Sequence, residues 1–195
     1  MKNFEIALLL SILASLTHIT AFVIYNYKQI FGDSKPNIVS WLLWACLASL
    51  NFFSYKSMSQ NWIVSLLSFT SSLMCLLTFG ISLFKGKFSK LDWVDYTTLF
   101  FGSFTVCIWI IFKSAMYANF IALIGASIAF IPTYKSVFSN PKNEPPLPWF
   151  LWSVAFFLLL LVVLLKFDGT WGNFVYPGSM LILHFGVCFK AIKNN

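Results

Sequence analysis

The chain has 195 residues, of which 59% are hydrophobic and 10% charged, and its mean hydropathy is +0.80. A soluble domain carries about 25% charge, so this chain has too few polar groups to coat a globule in water, and a water-soluble enzyme fold is excluded. The net charge of +7 is carried by lysine alone, spread singly between apolar runs with no basic face, which also excludes nucleic acid as a partner.

Seven apolar runs follow one another: Phe4–Tyr27, Ile38–Tyr55, Trp62–Phe84, Trp93–Phe112, Ala115–Phe138, Trp149–Leu165 and Trp171–Phe189. A membrane-spanning helix needs about 20 apolar residues, so seven of them take roughly 140 and leave no room for a second, soluble domain. The runs are too long for barrel strands and show no strict alternation. The breaks carry turn chemistry: Gly32-Asp33-Ser34-Lys35-Pro36-Asn37, Gly86-Lys87, Asn140-Pro141-Lys142-Asn143-Glu144-Pro145-Pro146 and Asp168-Gly169. Pro148 suits the first turn of the sixth helix. The fold class read from this pattern is an all-α membrane protein with seven transmembrane helices.

The first run has the outline of a signal peptide, with Lys2, an apolar stretch and small residues near Ala14-Ser15. Its apolarity continues to Tyr27, which is too long for a cleaved segment and predicts a retained helix. Lys2, Lys56, Lys113 and Lys166 fall on one side of the membrane. Lys28, Lys35, Lys85, Lys87, Lys90, Lys135, Lys142, Lys190 and Lys193 fall on the other. The richer side is expected to be cytoplasmic. This predicts a multi-pass protein of the cell membrane (the inner membrane in a bacterium), N-terminus outside and C-terminus inside. Trp41, Trp44, Trp93 and Trp149 near inner helix starts, with Trp62 and Trp171 near outer ones, read as an interfacial aromatic belt. Cys46, Cys75, Cys107 and Cys188 lie inside spans with no CxxC spacing, and read as small core residues.

Two stretches of the chain match. Tyr27-Lys28-Gln29-Ile30-Phe31 corresponds to Tyr134-Lys135-Ser136-Val137-Phe138 at an offset of 107, and Trp41-Leu42-Leu43-Trp44 to Trp149-Phe150-Leu151-Trp152 at an offset of 108. Phe79-Gly80-Ile81 corresponds to Phe185-Gly186-Val187, and Phe84-Lys85 to Phe189-Lys190. The division expected is a first three-helix repeat over 1–92, a linker helix over 93–113 and a second repeat over 114–195. With a helix between them the copies share one orientation, a parallel repeat about an axis along the membrane normal.

At these residues the chain resembles the PQ-loop superfamily, which includes the SWEET sugar transporters and lysosomal amino-acid exporters. That family has three helices, a linker helix and three more, with a Pro-Gln pair near the cytoplasmic end of the first helix of each repeat. Pro132-Thr133-Tyr134-Lys135 stands in that place in the second copy and Tyr25-Asn26-Tyr27-Lys28 in the first, so proline survives once and the glutamine is replaced by Asn26 or Thr133. The resemblance implies a central cavity where an asparagine and aromatic side chains grip a polar substrate; Asn51, Trp44 and Trp152 are the matching residues here. KDEL-receptor and nicotinamide-riboside-transporter families share the architecture, so fold likeness alone does not name a function.

Polar groups inside a bilayer are the default functional candidates. His18 and His184 each lie about 13 residues from an outer helix start, roughly 20 Å deep and at one level. Each reads either as a proton-coupling or carboxylate-binding group or as a packed ring bonded to a backbone carbonyl. A two-histidine metal site lacks a third ligand at that depth. Asn51, near mid-membrane on one face with Trp41, Trp44 and Ala48, reads as a substrate contact or as a helix–helix hydrogen bond. Its counterpart is Leu159, so the copies are chemically unequal. Thr78, the counterpart of His184, is a further candidate, with Asn119, Asn173 and Ser127 behind it. Pro132 reads as a cytoplasmic hinge or a static kink. Ser71-Ser72 reads as cavity wall or as self-bonded helix, and the stripe of Ala118, Ala122, Gly125, Ala126 and Ala129 as packing.

No P-loop, HExxH or nucleophile elbow is present, and no metal or cofactor motif. The expected function is therefore not enzymatic. It is an alternating-access carrier, uniporter or proton-linked, for a small polar solute such as an amino acid, a vitamin-like compound or a sugar. The alternative is a non-transporting receptor, sensor or scaffold on the same fold. Protons as a coupling partner and a homo-oligomer are both left open.

Overall fold

The computed structural model describes residues 2–31, 38–85, 92–141 and 144–192, without the side chains of Lys2, Ser40, Trp109 and Phe112. An apolar run surrounded by hydrocarbon has no water to satisfy its backbone, so it closes its hydrogen bonds within itself. The runs accordingly form α1 (Lys2–Phe31), α2 (Ile38–Ser59), α3 (Trp62–Lys85), α4 (Trp93–Phe112), α5 (Ala115–Ala129), α6 (Ile131–Ser139) and α7 (Pro146–Leu165). A 3-10 turn over Trp171–Phe174 leads into α8 (Val175–Ile192). Among the described residues there is no strand.

Among the described residues, five segments are long and apolar enough to cross a membrane: Asn3–Phe31, Trp62–Lys85, Ala115–Ser139, Pro146–Leu165 and Trp171–Ile192. The chain is thus built as a multi-pass membrane protein. Large apolar side chains cover its outer surface, Phe84 at 88% exposure and Ile182 at 72% among them. Such a surface is tolerated in lipid and aggregates in water. α2 and α4 match the other two predicted runs, but α2 carries Trp41, Trp44, Ser49, Asn51, Ser54 and Tyr55 along its length.

Local chemistry sets the helix ends. Asp92 accepts from the backbone N–H of Val94 (2.8 Å) and Asp95 (3.1 Å), and the Asp95 carboxylate accepts from the Asp92 N–H at 2.9 Å, a closed capping box that starts α4. Lys113 ends α4 in the left-handed region at φ 49°, and Ser114 then caps α5. Pro146 begins α7 with Pro148 in the same turn, as expected of prolines at a helix start. The turns at 32–37 and 86–91 lie outside the described residues, as do Lys35, Lys87, Lys90, Lys142 and Lys193 of the lysine comparison. Of the remaining lysines, Lys166 sits over the Phe4 ring at 4.3 Å at one end of the bundle. Lys190 sits over Phe138 at 4.3 Å at the other.

The helices pack in a regular pattern. α1 and α2 both lie against α3, and the α5–α6 rod and α7 both lie against α8; across the seam α1 meets α7 and α2 meets α5. Exchanging α1, α2 and α3 with α5–α6, α7 and α8 maps these contacts onto themselves. The weaker pair α3–α7 maps onto α2 and the 3-10 turn, which are also in contact. α4 stands outside the pattern and packs on α2 and α5. It comes close because α5 presents small residues: Ala118 and Ala122 are buried, and a Cβ on Gly125 would lie 3.1 Å from the Phe101 Cβ of α4.

Two expectations need correction here, and a third is refined. Pro132 stands where the α5–α6 rod is interrupted: α5 ends at Ala129, Phe130 caps it, and Pro132 occupies the first turn of α6. Cys46 and Cys107 are exposed on the outer surface and are not core; Cys75 and Cys188 are buried. The tryptophans do not form one belt, because Trp62, Trp93 and Trp171 face outward while Trp149 and Trp152 are buried.

Candidate functional site

Between the two groups of helices lies a cavity of about 220 Å³. Its wall comes from α1, α2 and α3 on one side and from α5, α6, α7 and α8 on the other, with no residue from α4. The tryptophan positions that match at an offset of 108 supply its aromatic lining: Trp41 with Trp149, and Trp44 with Trp152. Within each helix the two tryptophans, Trp41 and Trp44 or Trp149 and Trp152, are three residues apart, close to one helical turn, so both lie on one face. That face turns inward in both α2 and α7, which is why an interfacial belt was the wrong reading for Trp41, Trp44 and Trp149.

His184 is the hub of the lining. Its ring centroid lies 5.0 Å from Phe130, 5.0 Å from Phe156, 5.5 Å from Trp149 and 5.7 Å from Trp152. Its Nδ1 lies 2.7 Å from the Met180 carbonyl one turn back, so in the neutral ring Nδ1–H donates there and Nε2 remains an acceptor. His18 is fully buried on α1, 5.6 Å from Phe156 and 6.4 Å from Trp152, and its Nδ1 has no hydrogen-bond partner. The two histidines share Trp152 and Phe156 as neighbours, as their equal predicted depth requires. Trp152 Nε1 is also buried without a partner. A polar atom buried and unpaired costs about 1–3 kcal/mol, so these two mark a place where a polar guest would be stabilised.

Asn51 fits both of its readings. It lines the cavity, and its Oδ1 accepts from Asn119 Nδ2 of α5 at 2.9 Å. Asn119 Nδ2 also donates to Ser54 Oγ at 3.1 Å, and the Tyr55 hydroxyl donates to the Asn173 carbonyl at 2.8 Å. Asn119 and Asn173 are therefore bridging residues at the seam, not cavity wall. Toward the other end the seam is aromatic: Phe22 and Tyr25 meet Trp152 at 5.0 and 5.7 Å, and Trp44 meets Phe130 at 5.1 Å.

Thr78 is a site residue that the structure leaves out of the cavity. It is fully buried, accepts from Asn26 Nδ2 at 3.0 Å and donates to the Met74 carbonyl at 2.8 Å, so it ties α3 to the end of α1. Pro132 is not in the wall, but its neighbours Phe130 and Thr133 are. Ser71 lines the cavity, while Ser72 exchanges a hydrogen bond with Ser49 at 2.9 Å between α3 and α2. Ser127 bonds back to the Leu123 carbonyl of its own helix. Among the described residues no three His, Cys, Asp or Glu side chains gather to hold a metal.

Sequence reasoning overlooked Glu144. It sits just before α7, reads as part of a polar turn, and yet lines the cavity, where Trp149 Nε1 donates to its Oε2 at 3.0 Å. Burial pushes its carboxyl up to about 7, against a smaller opposing effect of the Trp149 hydrogen bond. A signal was available: Glu144-Pro145-Pro146-Leu147-Pro148-Trp149 lets the first turn of α7 fold the acid back beside a tryptophan five residues on. Comparison with protein-family models, curated proteins and solved structures finds no match.

Proposed function

We propose that this protein is an alternating-access carrier for a small polar solute, built as two three-helix copies, 1–92 and 114–195, joined by the linker helix of 93–113, in the manner of the PQ-loop superfamily it resembles. The observation that carries this reading is the cavity at the seam of the two groups, walled by matched tryptophan pairs from both. The exchange symmetry of the helix contacts supports the same duplication, with seven spans in a parallel repeat. A substrate site between two pseudo-equivalent halves is what alternating access requires, because each half can part from the other on one side of the membrane at a time.

The size is informative. At about 220 Å³ the cavity falls below the ~300–1,000 Å³ of pockets for drug-sized ligands, which suits a solute of amino-acid or single-ring dimensions. Trp44, Trp152 and Asn51 contact it from the wall, with His18 and His184 at mid-depth. The site extends toward Glu144, which the lysine distribution assigns to the cytoplasmic side. The protein thus resides in the cell membrane with its N-terminus outside.

The test is counterflow. Purified protein in liposomes preloaded with unlabelled solutes is assayed with a radiolabelled panel of amino acids, vitamin-like compounds and sugars. Accumulation that Trp152→Ala abolishes supports a carrier. Saturable binding with no counterflow for any binder refutes it and leaves a receptor on the same fold.

A further inference from the structure

The charge inventory of the cavity is one-sided. Among the described residues its wall holds one carboxylate, Glu144, and no lysine, although the chain has 13 lysines and 6 acids in all. The carboxylate has a single described donor, Trp149 Nε1 at 3.0 Å, whereas an ionised carboxylate can accept about four hydrogen bonds. The rest of the wall at that end is aromatic: Tyr25 from α1, Trp41 and Trp44 from α2, Phe130 from the α5–α6 junction, and Trp149 and Trp152 from α7. Ring faces carry the negative part of an aromatic quadrupole and attract cations, more strongly when desolvated. Polar acceptors stand farther along the cavity, in His184 Nε2 of the neutral ring and in the Asn51 carbonyl oxygen toward its other end.

We propose that the cavity recognises an organic ammonium ion, held by the Glu144 carboxylate and the ring faces of Trp41, Trp44, Trp149 and Trp152. The assignment rests on the carrier reading only for the route the ion takes, since binding is independent of transport. An anionic solute would meet Glu144 with no lysine among the described wall residues to balance it. A neutral polyol would need a string of paired donors and acceptors, and most of the wall offers ring carbon. A compact cation supplies what the arrangement lacks: a partner for the carboxylate and a charge for the rings to surround. The raised carboxyl of Glu144 fits a buried acid whose counter-ion is the ligand.

The experiment is equilibrium binding to the detergent-purified full chain, read by calorimetry and by quenching of tryptophan fluorescence. The probes are tetramethylammonium, choline and 3,3-dimethylbutan-1-ol, the uncharged carbon isostere of choline. The expected result is that both cations bind and the isostere binds at least about tenfold more weakly. Glu144→Gln lowers choline affinity about tenfold or more and leaves the isostere unaffected; Glu144→Asp recovers most of the loss, which separates charge from misfolding. Equal affinity for choline and its isostere, unchanged choline affinity in a monodisperse Glu144→Gln protein, or no binding by either cation overturns the proposal. Choline binding without counterflow would sink the carrier and leave this inference standing. Counterflow of an uncharged solute with no ammonium binding would do the reverse.

Discussion

Tyr27 and Tyr134 occupy matching places in the sequence, and so do Gly80 and Gly186, but only one of these pairings is locked. Tyr134 lies directly against Gly186, where an added Cβ would collide with its hydroxyl, and that hydroxyl donates to the Leu183 carbonyl at 2.8 Å. Tyr27 is 62% exposed and stacks on Phe31 at 4.7 Å, and a Cβ on Gly80 would meet nothing within 4 Å. One glycine is therefore a packing requirement and its twin is not. The same divergence separates Asn51, which bonds across the seam, from its sequence counterpart Leu159, a fully buried apolar residue. In the proposed duplication, the two groups share a frame and differ in these side chains.

The largest expected effect that sharpens this contrast is at the matched tryptophans. Trp152 packs against five rings, including both histidines, whereas Trp44 packs on Phe130. Trp152→Ala should cost about 3–5 kcal/mol, as for a large ring removed from a core, and Trp44→Ala clearly less. Thermal unfolding in detergent measures both, and equal losses would break the comparison. Next are the glycines. Gly186→Ala should destabilise by about 1–3 kcal/mol through overpacking, while Gly80→Ala should stabilise by up to ~1 kcal/mol through helix propensity. Opposite signs are the prediction. The third is Asn51→Leu, which puts the residue of the matching position 159 at 51 and leaves Asn119 without one of its acceptors, at about 1–3 kcal/mol. Solute binding measured alongside separates bridge from contact, since full affinity in a folded Asn51→Leu protein would make the residue structural.

The smallest effect is the pH dependence set by Glu144. Its carboxyl is held at about 7 in the folded protein, against an ordinary value of 4.5, so between these values the folded state holds the proton more tightly than the unfolded one. Its contribution to stability is full below about 4.5 and is lost as pH rises through about 7. Glu144→Gln should flatten that part of the profile, read as melting temperature against pH in matched buffers. Tyr25, His18 and His184 share the cavity with Glu144 and stay in place in both proteins, so the difference between the two profiles isolates the carboxyl.

Most of the frame was legible because bilayer-length apolar runs have one solution, the helix. Trp93–Phe112 was read to the residue, and Ile38, Trp62 and Ala115 were correct helix starts, since turn and capping residues mark them. His18, His184 and Asn51, which line the cavity, stood out in the sequence because a polar group in a run of hydrocarbon is conspicuous. The direction of the tryptophans was not legible, because tryptophan suits both an interface and an aromatic wall and only the neighbouring helix decides. Glu144 was missed because a charge in a loop reads as solvated until the backbone folds it inward. Thr78 was misplaced because matching His184 across the repeat says where its helix stands and not which way its side chain turns.

The seam between the two groups is fastened differently along its length. Near the 3-10 turn, Asn119, Asn51, Ser54, Tyr55 and the Asn173 carbonyl are stapled by directional bonds that a small rotation would break. Near Glu144, the described ring contacts across the seam are slippery and lose little energy when they slide. A molecule stapled at one end and greased at the other yields first at the greased end, so in the proposed carrier the Glu144 side is the mouth and the asparagine cluster the pivot.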